Sequence, residues 1–138
     1  MVPGVIQPGL FDMEATNIIC MQPEEYCARV LAKICQTGLQ NYNRRTAMLI
    51  EYRQLPQIVW SSVMDFFGVK YTNVDLHRMR TFAQFNSKNP QVYFENDTAS
   101  KRHAANDLIR GMSIRWVVPL YEELQAIRLT QSNGCFGQ

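Results

Sequence analysis

The chain has 138 residues, 46% of them apolar, and its 14 basic and 12 acidic side chains leave a net charge of +2. That length fits one domain, which at this size buries roughly two thirds of its unfolded surface. So even a charge balance offers no polyanion-binding surface by itself, and no apolar run reaches the ~20 residues of a membrane span.

The opening "MVPGVIQPGLFDMEA" lacks the basic start and apolar stretch of a signal peptide. The expectation is a soluble, cytoplasmic protein with neither nucleic acid nor membrane as partner. Pro3-Gly4 and Pro8-Gly9 are turn dipeptides, so the first twenty residues read as irregular, with Val5, Ile6, Leu10 and Phe11 lying against something. A helix then begins at Pro23, which suits a first helical position, with Glu24 and Glu25 at its positive end. Its apolar residues Cys27, Val30, Leu31, Ile34 and Cys35 recur as one buried stripe, and Gly38 and Asn41 mark its end.

The run Met48-Leu49-Ile50 predicts a strand over about 47–52, covered on both faces as in a parallel sheet. Pro56 starts a second helix with Ile58, Val59, Val63, Phe66 and Phe67 inside, and Gly68 caps it in the left-handed region. Asn73 caps a third, with Asp75 in its first turn and Val74, Met79, Phe82 and Ala83 inside. "FNSKNPQVYFEND" reads as a loop broken by Pro90. From near Thr98, the residues Ala105, Leu108, Ile109, Met112, Trp116, Leu120, Leu124 and Ile127 keep one helical phase. They predict a long helix, about 45 Å by helical rise, kinked at Pro119. Two helices broken at Gly111 are the alternative.

The expected fold class is therefore mainly α: about four helices, the last long and kinked, and one isolated strand. Residues 1–130 would form one domain and 131–138 a flexible tail. A lone strand has no sheet, so its partner has to be found.

The sequence carries few residues in a chemically telling arrangement. There is no phosphate-binding G-x-x-x-x-G-K-[ST], no G-x-G-x-x-G, no G-x-S-x-G and no H-E-x-x-H. Cys20, Cys27, Cys35 and Cys135 form no C-x-x-C pair; Cys27 and Cys35 read as small apolar residues of a helix, and no metal site is expected. His77 and His103 lack a partner in sequence, and the adjacent Glu122 and Glu123 do not share a helix face. Cations gather at Arg44-Arg45 and at Lys88 with Lys101-Arg102. Because helix N-termini attract anions, Lys88, Lys101 and Arg102 are candidate anion contacts; the plainer reading is a solvated basic turn. Trp60, Phe66, Phe67, Phe82 and Trp116 have the helical spacing of core residues, and more weakly suggest an aromatic pocket.

The ordered series "PEEYCARVLAKIC", "MLIEYRQLP", "FFGV", "FNSKNP" and "RWVVPLYEEL" resembles the C-terminal half of a bacterial branch of the P-loop sulfotransferases, over roughly Met1 to Leu129. Such enzymes move a sulfuryl group from 3′-phosphoadenosine 5′-phosphosulfate to a hydroxyl or amine. The resemblance implies an α/β fold whose other strands precede residue 1, with "MLIEYRQLP" as a late strand and its corner, where Tyr52 and Arg53 are the candidate residues. The family's phosphosulfate loop, its 3′-phosphate contacts and its usual base belong to the N-terminal half and have no counterpart here, so no catalytic role is carried over. The cofactor would bind only a site completed by another half.

Two function classes follow. One is a truncated or split sulfotransferase-like protein, not catalytic alone. The other is a helical homodimeric binding module whose strand pairs with its copy, since an open strand edge invites pairing.

Overall fold

The computed structural model describes residues 8–11, 13–86, 88–95 and 97–134. Six helices and one two-stranded antiparallel hairpin make up its regular structure. The chain divides into two compact units, one of Met1–Leu49 with Ala105–Gln138 and the other of Ile50–Ala104.

In the first unit, a 3-10 turn at Pro8–Phe11 precedes helix α1, Ala15–Cys20, which lies where the sequence reads as irregular. The expectations for Pro3-Gly4, Val5 and Ile6 lie outside the described residues. Helix α2 spans Pro23–Gln40, with Pro23 in its first turn and Asn41 as C-cap, as the sequence predicts. The buried face differs from the predicted stripe. Tyr26, Ala28 and Ala32 are buried together with Met13, while Leu31 is 51% and Ile34 57% exposed, and Cys27 is exposed too. Helix α2 packs against the C-terminal helix, and its buried residues include the small Ala28 and Ala32 while the larger Leu31 and Ile34 stand exposed.

That C-terminal helix does not begin at Thr98. A seven-residue helix, Thr98–Ala104, ends first, and Asn106 opens a new one by accepting the Ile109 N–H on its side-chain oxygen at 2.8 Å. The new helix runs unbroken past Gly111 through Asp107–Met112, a π-helical turn at Ser113–Val117, and Val118–Gly134, about 40 Å by helical rise. Pro119 has no N–H and its ring crowds the carbonyl four residues back in an α-helix. The wider turn just before it, closed by the Val118 N–H on the Ser113 carbonyl, accommodates this. Residues 135–138 of the expected tail, including Cys135, lie outside the described residues. The count of about four helices is thus corrected to six among the described residues, by α1 and by the break at Ala105-Asn106.

In the second unit, Tyr52–Gln54 form a 3-10 turn closed by a capping box between Glu51 and Gln54. Helix α3 is π-helical at Val59–Val63 and α-helical at Met64–Phe66, and it ends at Gly68, whose φ of 64° is the left-handed cap the sequence predicts. Helix α4 is Asn73–Phe82; its cap is Thr72 rather than Asn73. Thr72 Oγ1 accepts the Asp75 N–H at 3.2 Å and the Asp75 carboxylate accepts the Thr72 N–H at 3.0 Å. Strands β1, Phe85–Asn86, and β2, Asn89–Tyr93, then form the hairpin, in a stretch read as loop. Phe85 stacks on Tyr93 with ring centroids 5.0 Å apart, and the Phe94 N–H donates to the Gln84 carbonyl. Helix α5 is Thr98–Ala104, and the long helix at 107–134 is α6.

The strand predicted at 47–52 does not form. Residues 47–50 belong to no helix or strand, Glu51 is extended, and Tyr52 already lies in the 3-10 turn. A strand exists only through its ladder, and no described segment pairs with this one. Instead the Leu49 N–H donates to the Gln131 side-chain oxygen of α6 at 3.0 Å. No described residue of Ile50–Ala104 is buried. Phe67, Val74, Phe82, Tyr93 and Phe94 are all exposed there, at odds with the inner faces read for Phe67, Val74 and Phe82.

Candidate functional site

The sequence candidates Tyr52, Arg53, Lys88, Lys101 and Arg102 all fall in the Ile50–Ala104 unit. Asp97 organises them. It stands just before α5, where its carbonyl accepts the Lys101 N–H at 3.0 Å and the Ser100 hydroxyl at 2.8 Å. Its carboxylate takes the Lys101 ammonium at 2.8 Å, one helical turn on. The hydrogen bond to Lys101 holds the Asp97 carboxyl below its ordinary range, and the charge of Lys88 adds to this. Lys101 is raised in turn, first by its hydrogen bond to Asp97 and in small part by Tyr52. Lys88, Asp97, Lys101 and Tyr52 therefore share one electrostatic neighbourhood, formed by the hairpin, the start of α5 and the 3-10 corner.

Chemically this is one exposed Lys101–Asp97 ion pair, with the charge of Lys88 felt at the carboxylate. An incoming phosphate or sulfate would have to displace Asp97 from Lys101, and screening weakens each contact. Arg53 is paired with Glu51 at 3.1 Å, and Arg102 is exposed on α5. The corner and the basic turn are thus brought into one unit, where Glu51 pairs with Arg53 and Asp97 with Lys101.

The aromatic candidates do not converge within either unit. Phe66 and Phe67 meet edge to face at 4.9 Å, and Trp60 has the Arg80 guanidinium 5.8 Å from its ring centroid and accepts the Tyr71 hydroxyl on its carbonyl. Phe67 and Phe82 are 62% and 75% exposed, which fits neither core nor pocket. Trp116 belongs to the other unit, where Arg29 lies 4.3 Å above its ring while pairing with Glu25 at 2.7 Å, and Arg115 lies 5.0 Å away. Among the described residues no group of three His, Cys, Asp or Glu side chains could hold a metal ion.

One face expected to be buried points outward: that of α2. Cys27, Leu31, Ile34 and Gly38 are all exposed and recur at intervals of four, three and four residues. Their spacing is visible in the sequence. Its meaning was hidden because α2 is apolar on two faces, and only packing decides which one is covered.

No family model, no curated protein and no solved structure matches the chain.

Proposed function

We propose that the chain is an assembly-dependent helical module: it completes its fold on a second protein surface and performs no chemistry alone. The observation that carries this is the Ile50–Ala104 unit, where no described residue is buried although Phe67, Val74, Phe82, Tyr93 and Phe94 are exposed. Large apolar side chains left this exposed are candidates for burial by association, and others of the unit's apolar residues, Trp60 and Phe66 among them, are only half-buried, so further apolar area is left to gain.

On the sulfotransferase-like reading, the covering surface is the N-terminal half that brings the phosphosulfate site, and the chain is the split or truncated C-terminal half. The segment 47–50, which forms no ladder, and the extended Glu51 are in keeping with this reading. The homodimer is the second reading, favoured by Leu31 and Ile34, which stand exposed on α2. The free thiols Cys20, Cys27 and Cys35 are in keeping with a cytoplasmic setting.

Calorimetric titration with 3′-phosphoadenosine 5′-phosphate, on material of known mass, tests the functional side. The expected result is no saturable heat with the chain alone, since Asp97 already occupies Lys101. Saturable micromolar binding would show a nucleotide site in the chain itself and would overturn the proposal.

A further inference from the structure

We draw no further inference here: the strongest candidate, the buried Tyr26 hydroxyl of α2 with the buried Trp116 indole N–H of the π-helical turn that packs on it, carries nothing, because nothing in the structure brings the two groups to one site or shows a ligand that they would share.

Discussion

Asp97 shows how single residues shape the surface of the second unit. Its carboxyl titrates below the ordinary 3.8, chiefly through the hydrogen bond to Lys101, and Lys101 titrates above the ordinary 10.5 through the same bond. A depressed carboxyl contributes stability that is present above its unfolded pKa and lost as pH falls through the folded one; a raised lysine contributes stability that is lost as pH rises through its folded pKa. Protection of the α5 amides from hydrogen exchange, corrected for intrinsic rates, should therefore be flat between about pH 4 and pH 10 and fall at both ends. Asp97→Asn should remove the acid limb; an unchanged acid limb would show that the pair does not hold α5. Thr72 gives a second residue-level expectation. Thr72→Ala removes the acceptor for the Asp75 amide and should cost about 1 kcal/mol in urea unfolding, with Thr72→Ser close to wild type. This cap was nearly legible. Thr72 and Asp75 have the spacing of a capping box, but Asn73 is an equally good cap residue in isolation. What decides is backbone geometry: Thr72 is the extended residue, at φ −99° and ψ 168°.

At the scale of elements, boundaries were more legible than faces. Pro23, Glu24, Glu25 and Asn41 define α2 by local chemistry alone, and Gly68 ends α3 for the same reason. Which side of α2 is buried depends on packing against α6, far along the chain, and the buried side includes Ala28 and Ala32. Ala32→Leu should therefore overpack that contact and cost about 1–3 kcal/mol. A neutral effect on the unfolding midpoint would mean that the two helices are not in close contact there. The apolar run Met48-Leu49-Ile50 was legible as a strand candidate, but strand formation depends on a neighbour that local sequence does not contain. The hairpin was hidden for the opposite reason: Pro90 and the polar "NSKN" suggest a loop, while Phe85 and Tyr93, good strand formers, pair across it. The candidate site was legible as a list of cations. The position of Asp97 before α5, which takes up Lys101, was legible only as an i, i+4 spacing whose weight depends on geometry.

For the molecule as a whole, the described core is four residues, Met13, Tyr26, Ala28 and Ala32, all in the first unit. Composition had promised more, since 46% apolar residues suffice for a proper core. The difference lies in where those residues point: Leu31, Ile34, Phe67, Phe82 and Ile114 are each more than half exposed. A fold completed by association gains stability by mass action. The decisive measurement is urea unfolding of the purified chain, followed by circular dichroism at concentrations from about 1 to 100 μM with mass monitored by light scattering. If the module completes itself as a dimer, the midpoint rises with concentration alongside the mass. If it needs a different protein, the chain stays monomeric and unfolds in a broad, non-cooperative transition. A monomer with one sharp transition at a fixed midpoint would contradict assembly dependence outright.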